Sequence, residues 1–233
     1  MQNVARKQKA VVLDKIVFEL DVARLMKNLR IGPDTPDADA LIQLVAEAQD
    51  IAKPKACYKI AYVESREDDA VVIDGVRFDS RVLRVNLDEA YRVFPYVATC
   101  GMELEAWSLS IDDMLHQYWT DAIRQMALTS ATMALHKHLF GTYRLGRTAV
   151  MSPGSLSDWP IREQRPLFDL IGDVEGKIGV QLSDSFLMSP IKSVSGIRFP
   201  TEESFASCQL CPRVNCPGRR APYDETLYDR KYR

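Results

Sequence analysis

The sequence lacks the long apolar run of a membrane-spanning helix and shows no large excess of charge of either sign. No stretch approaches the roughly 18 apolar residues that cross a bilayer, and the N-terminal segment MQNVARKQKA lacks the apolar core of a signal peptide. The 30 basic and 32 acidic residues leave a formal net charge of -2, which gives no general attraction to nucleic acid or anionic lipid. We therefore predict a cytoplasmic protein that binds neither membranes nor nucleic acid.

Histidine is also scarce, and the common catalytic motifs are missing. The chain has 3 histidines, and it contains no His-Glu-x-x-His sequence, no Walker loop and no Ser-His-Asp arrangement. His136 and His138 are two residues apart in a predicted helix, so they point to different faces. The sequence gives no support for a hydrolase or a kinase.

The chain contains 5 cysteines, an odd number that argues against a disulfide framework. Cys208-x2-Cys211 allows two thiolates to bind one metal from a tight turn, and Cys216 supplies a third ligand. Cys100, between a predicted strand and a predicted helix, is the candidate for the fourth, whereas Cys57 belongs to a predicted strand and is expected in the core. The pattern predicts zinc or an iron–sulfur cluster, which the spacing does not distinguish; three free or reversibly oxidised thiols are the alternative.

Apolar periodicity predicts a mixture of short strands and helices. A β-branched segment at 11–20 precedes a helix capped by Asp21, and a second helix spans 37–51. Asp74-Gly75 between two β-rich runs predicts a hairpin, and a further strand spans 93–99.

The longest helix is predicted over about residues 111–140. Residues spaced by three and four predict that one of its faces lines the core. The members of this predicted face are Leu115, Trp119, Ala122, Met126, Thr129 and Met133.

A Pro-Gly turn lies in the segment MSPGSLSDWPIREQRPLFDL, residues 151–170. Ser157 or Asp158 is the expected N-cap of a helix that has Pro160 in its first turn and ends at Gly172. A turn beside a helix N-terminus leaves backbone N–H groups free for a carboxylate or phosphate ligand. The alternative is a turn that only reverses the chain.

The segment IGVQLSDSFLMSP at 178–190, continued by SVSG at 193–196, resembles the C-terminal part of the methionine synthase activation domain. Pro153-Gly154 and the helix around Leu167-Phe168 occupy the positions of that family's ligand-binding turn and its helix. The resemblance covers about residues 150–200. It implies an α+β fold in which an antiparallel sheet packs with helices, including one long core helix, over residues 1–200, followed by a Cys-rich basic tail at 201–233.

The resemblance also implies a ligand site. In that family the domain docks on the cobalamin-binding module and holds S-adenosylmethionine near the cobalt. The candidate site residues implied here are Ser152, Pro153, Gly154, Ser155, Asp158, Trp159 and Asp184. The family has an Arg three residues before the Pro and a Tyr after the Gly; this chain has Val150 and Ser155 there, and Arg147 is the nearest substitute for the Arg. An acidic residue of the family's long helix corresponds to a position near Thr129.

These observations predict an accessory or reactivation protein of a corrinoid-dependent methyltransferase, which recognises a partner that carries cobalamin. In that context an iron–sulfur cluster in the tail would supply the low-potential electron that returns cobalt(II) to cobalt(I). A second interpretation is an S-adenosylmethionine-binding reactivation enzyme. A third is a zinc-knuckle protein whose basic tail binds single-stranded nucleic acid, with Tyr223, Tyr228 and Tyr232 stacking on bases.

Overall fold

The computed structural model describes residues 8–233. The sequence prediction that the segment MQNVARKQKA is not a signal peptide rests mostly on residues 1–7, which lie outside the described residues. Within 8–233, none of the helices combines the length and the apolar character needed to cross a membrane.

The chain contains both short strands and helices, and several strands or helices follow one another in sequence, as in an α+β protein. The strands are β1 (Val11–Leu13), β2 (Lys55–Tyr58), β3 (Ala61–Arg66), β4 (Ala70–Ile73), β5 (Val76–Asp79), β6 (Arg92–Thr99), β7 (Thr148–Met151), β8 (Gln181–Leu182), β9 (Met188–Ser189) and β10 (Ser193–Pro200). The helices are α1 (Val22–Leu29), α2 (Pro36–Ile51), α3 (Arg81–Asn86), α4 (Met102–Leu109), α5 (Met114–Tyr143), α6 (Gln164–Ile171), α7 (Val174–Ile178) and α8 (Leu227–Lys231).

Eight strands form one curled antiparallel sheet around β6. Its order is β1-β2-β6-β3-β4-β5, with β10 paired to both β6 and β7, while β8 and β9 form a separate hairpin. Alternate residues of β6 point to opposite faces, so Val93 and Val97 enter one core and Phe94, Tyr96 and Ala98 enter the other. The sheet therefore separates two cores, and α5 covers the second. The predicted α+β class with an antiparallel sheet and one long helix is confirmed.

Local sequence signals account for several element ends. Asp21 caps α1 by accepting the Arg24 N–H at 2.9 Å, as predicted. Asp74 and Gly75 have φ of 45° and 79°, the left-handed pair that a type I′ turn needs between β4 and β5. The predicted helix at 37–51 is confirmed as α2.

The predicted core face of α5 is only partly correct. Met133 and Leu115 are 66% and 48% exposed. Most of the buried residues of α5 instead recur at every fourth position, and Thr120 and Leu128 are buried beside them. The residues of this stripe are Trp119, Ile123, Ala127, Ala131, Leu135 and Leu139. Since four residues turn a helix by slightly more than one revolution, this stripe winds around α5 and follows the curl of the sheet.

The last 33 residues, 201–233, pack against the first core. Leu227 and Tyr232 are buried in it, and the Tyr232 hydroxyl donates to Asn86 Oδ1 at 3.0 Å. Arg81 also donates to the Tyr232 carbonyl. Tyr232 is therefore unavailable for base stacking, which removes one of the three tyrosines that the nucleic-acid interpretation needs.

Candidate functional site

The Pro-Gly turn is closed by its own hydrogen bonds. The Gly154 N–H donates to Trp159 O at 2.7 Å, and the Ser155 N–H and hydroxyl both donate to Ser152 O, at 3.1 and 2.6 Å. Pro153 has no N–H to offer. The expectation that this turn leaves N–H groups free for a ligand is wrong for both Gly154 and Ser155.

Asp158 and Trp159 point into the protein. The Asp158 carboxylate accepts the Val82 N–H at 3.0 Å and the Ser80 hydroxyl, so it supports the start of α3, and the prediction that it caps the following helix is wrong. Trp159 is fully buried against the edge of Phe78, with ring centroids 6.1 Å apart. Both side chains stabilise the fold.

Arg147 and Asp184 are held on other parts of the surface. Arg147 donates to the carbonyl of Glu202 at 2.6 Å, and Asp184 is an exposed loop residue whose closest cation is Arg165, at 3.5 Å. Among the predicted ligand-site residues, Ser152 is the one that lines the groove described next.

A groove of about 600 Å³ lies between α5 and the adjacent strands β6, β7 and β10. We call it the α5 groove. Its lining residues are Tyr96, Thr132, Met133, Ala134, His136, Lys137, Val150, Ser152, Val194, Arg198 and Arg220. It adjoins the Pro-Gly turn through Ser152.

Strand register explains why these side chains meet. In the antiparallel pairs, Arg198 lies opposite Val150, and Gly196 lies opposite Tyr96. The side chains of Arg198, Val150 and Tyr96 therefore share one face of the sheet. Gly196 leaves room for Ser152, because a Cβ at that position would lie 2.8 Å from Ser152 Oγ and 2.6 Å from Met151 O.

Every charged residue that lines the α5 groove is basic or a histidine. Arg198 donates from Nη1 to Thr148 Oγ1 at 2.8 Å, whereas its buried Nε has no hydrogen-bond partner among residues 8–233. Burial lowers the pKa of Arg198, and the like charge of Arg220 lowers it further. Burial and the charge of Arg198 also lower the pKa of His136.

Sequence reasoning missed Tyr96 and Arg198, and it placed Arg220 in the basic tail without connecting it to a groove. One signal was available for Arg198, because it is the single charged residue in β10, whose sequence is SVSGIRFP. A charge on a strand that is otherwise buried or lined with hydroxyl groups is expected to have a function or a partner.

The cysteine loop, residues 208–221, lies beside the groove and is held together by Arg219. This guanidinium donates to the carbonyls of Cys208, Cys211 and Ala221 at 3.0, 3.1 and 3.2 Å, and also to that of Arg213. Cys208 Sγ accepts the Arg220 N–H at 3.4 Å, and this bond lowers the pKa of Cys208.

The thiols as arranged do not make a metal site. In the part of the chain that the structure describes, no three Cys, His, Asp or Glu side chains are grouped as metal ligands. Cys100 is fully buried in the core next to α5, where burial raises its pKa to about 12, while Cys211 packs against the core on the other side of the sheet. A centre combining Cys100 with Cys208, Cys211 and Cys216 does not fit this arrangement.

Comparison with known proteins gives a fold-level likeness. No protein-family model matches the sequence, and no curated protein matches it either. Among solved structures, the chain is similar to the MetH reactivation domain bound to AdoHcy, with a TM-score of 0.58 and 14% identity over 88% of this chain and 82% of that one. The fold predicted from the resemblance to the methionine synthase activation domain is thereby confirmed, and it extends well beyond residues 150–200.

Proposed function

We propose that this protein is an accessory factor of a corrinoid-dependent methyltransferase system, related to the reactivation domain of methionine synthase. It docks on a partner that carries the corrinoid, and it assists the return of cobalt(II) to cobalt(I) by a one-electron donor. The observation that carries the proposal is the fold likeness to the MetH reactivation domain over 88% of the chain. The open α5 groove provides the surface for the interaction.

The positive charge of the α5 groove disfavours the binding of S-adenosylmethionine. This molecule has two cationic groups, a sulfonium and an ammonium, and one carboxylate. No Asp or Glu lines the groove, so both cationic groups would face Arg198, Arg220 and Lys137 without a counter-charge. The proposed reactivation therefore does not use S-adenosylmethionine as a resident ligand.

A second candidate, an S-adenosylmethionine-binding reactivation enzyme, has two observations in its favour. The MetH reactivation domain binds AdoHcy, and Arg198 lies directly opposite Val150, the position where the resembled family has its arginine. Calorimetry with S-adenosylmethionine and AdoHcy decides between the candidates. We expect neither to bind in the micromolar range; saturable binding that Arg198→Met abolishes would favour the second candidate over the first.

Electron delivery from a cluster in the tail stays a prediction. Because the tail thiols are not grouped as ligands, no step of the proposed function passes through a metal. Anaerobic purification followed by a visible spectrum and iron and zinc analysis tests the prediction. A colourless protein loaded with zinc would exclude the electron-carrier version and leave the accessory role in place.

Capture of the corrinoid partner tests the accessory role. The full chain, immobilised, is exposed to an anaerobic extract of the cells it comes from, and the retained fraction is measured for cobalt and corrinoid absorbance. We expect corrinoid to be retained by the wild type and lost with Arg198→Glu. Arg24→Glu, the same charge reversal on α1, is the control, because α1 does not line the groove. Absence of corrinoid in the wild-type fraction would contradict the proposal.

A further inference from the structure

Three cations face the α5 groove without an acidic partner. Arg198, Arg220 and Lys137 line it, and no carboxylate lies within 4.0 Å of any of them among residues 8–233. Several other half-buried or buried basic side chains are paired with a carboxylate, such as Lys59 with Asp74 at 2.9 Å and Arg124 with Glu105 at 2.5 Å. The groove thus concentrates positive charge that its own residues do not neutralise.

Arg198 has donor capacity left inside the groove. Thr148 takes one N–H from Nη1, and Phe140 lies under the guanidinium with its ring centroid 5.9 Å from Cζ. Nε is shielded from solvent and has no acceptor in the described part of the chain. A largely buried guanidinium without a counter-charge is costly, and an anion in the groove offsets that cost by its attraction to the guanidinium as a whole.

Arg220 brings a second guanidinium from the tail. Its backbone is fixed by the N–H bond to Cys208 Sγ, and the neighbouring Arg219 braces the same loop through four carbonyls. The charges of Arg198 and Arg220 act on each other, since Arg220 lowers the pKa of Arg198, and both act on the buried phenol of Tyr96. Two cations held together with no counter-ion form a site for an anion of more than one charge.

Hydroxyl groups complete the set of donors. Ser152 and Tyr96 both line the groove, and their hydroxyl groups can donate to an oxygen held between the guanidiniums. Forked guanidiniums with added hydroxyl donors suit the tetrahedral oxygens of phosphate.

We propose that the α5 groove is a binding site for a phosphate group, held by Arg198 and Arg220 with Ser152 and Tyr96 as hydroxyl donors. Free phosphate and the phosphodiester in the nucleotide loop of a complete corrinoid carry the same chemistry. The second source rests on the function proposed above, whereas the site itself does not.

Calorimetric titration of the full chain with inorganic phosphate at low ionic strength tests the site. We expect saturable binding that weakens at least about tenfold in Arg198→Met and in Arg220→Ala, and that Arg24→Ala leaves unchanged, since loss of a charged hydrogen-bond donor costs about that much. Arg220 is exposed, so its replacement keeps the fold, which circular dichroism checks. Absence of phosphate binding by the wild type, or binding that both groove variants retain, would overturn the site.

Competition identifies the source of the phosphate. Cobalamin carries the phosphodiester loop and cobinamide lacks it, so displacement of bound phosphate by cobalamin alone assigns the corrinoid loop to the site. If neither cobalamin nor cobinamide displaces the bound phosphate, the site remains a phosphate site, and its ligand is free phosphate or another phosphate ester. Failure of phosphate binding itself would leave the proposed accessory role untouched, because that role depends on the fold likeness and on capture of a corrinoid partner.

Discussion

The five cysteines differ in reactivity because their surroundings differ. Burial raises the pKa of Cys57 and of Cys100 to about 12, whereas the Arg220 N–H lowers that of Cys208, whose thiolate consequently forms at lower pH than that of an ordinary cysteine. We predict that a short pulse of iodoacetamide near pH 7 labels Cys208 first and leaves Cys57 and Cys100 unlabelled until the protein unfolds, as read by peptide mass spectrometry. Equal labelling of Cys208, Cys211 and Cys216 would contradict this.

Gly196 is required by a close approach of two strands. Since a Cβ there would lie 2.6 Å from Met151 O, Gly196→Ala is expected to destabilise the protein by about 1–3 kcal/mol. Gly141→Ala is the matched control, because nothing lies within 4 Å of the new Cβ in α5, and the change should stabilise by up to about 1 kcal/mol. Urea unfolding measures both; equal midpoints would refute the packing argument.

The sequence predicted the Pro-Gly turn beside the groove, but it did not predict most of the side chains that line the groove. Ser152, a candidate because of the family resemblance, lines the groove, and its contact with a ligand stays a prediction. The inward contacts of Asp158 and Trp159 were not predictable, because their partners, Ser80 and Phe78, are about 80 residues away in the chain and are known only from the fold. Arg198 became a candidate only when strand register showed which side chains share its face.

The junction of α4 and α5 depends on a nearly buried ion pair. Glu105 Oε2 lies 2.5 Å from Arg124 Nη1, and their side chains are 11% and 13% exposed. Glu105→Ala leaves a buried guanidinium whose remaining ion pair is Asp121 at 3.3 Å, so we predict a loss of about 3 kcal/mol, largely recovered when Arg124→Met is added. Glu67→Ala, in an exposed pair with Arg77, should cost less than about 1 kcal/mol. Thermal unfolding measures the three variants, and equal losses for Glu105→Ala and Glu67→Ala would disprove this.

Element ends were predictable where a local chemical signal marks them. The Asp21 cap and the Asp74-Gly75 turn need only nearby residues. The buried face of α5 was not predictable in the same way, because several apolar stripes run along a helix of 30 residues and the curl of the sheet selects one. Met133, assigned to the core from spacing, instead lines the groove.

The C-terminal residues 201–233 are integrated into the whole protein. Tyr232 is fully buried in the first core and bonded to Asn86, so Tyr232→Ala is predicted to lower the free energy of unfolding by about 3–5 kcal/mol. Tyr223→Ala, at a position 43% exposed, should change it by less than about 0.5 kcal/mol. Chemical denaturation followed by tryptophan fluorescence measures both variants. Equal unfolding midpoints for the two would mean that the tail does not contribute to the stability of the core, and would contradict the prediction.

The most direct test of the accessory role follows the cobalt itself. A corrinoid protein captured by this chain is prepared in the cobalt(II) state, and its electron paramagnetic resonance signal is followed after addition of a low-potential one-electron reductant. We predict that the signal disappears at least about tenfold faster with the wild-type chain present than without it, a barrier change of about 1.4 kcal/mol, and that Arg198→Glu removes the acceleration. Equal decay rates with and without the wild-type chain would contradict the account.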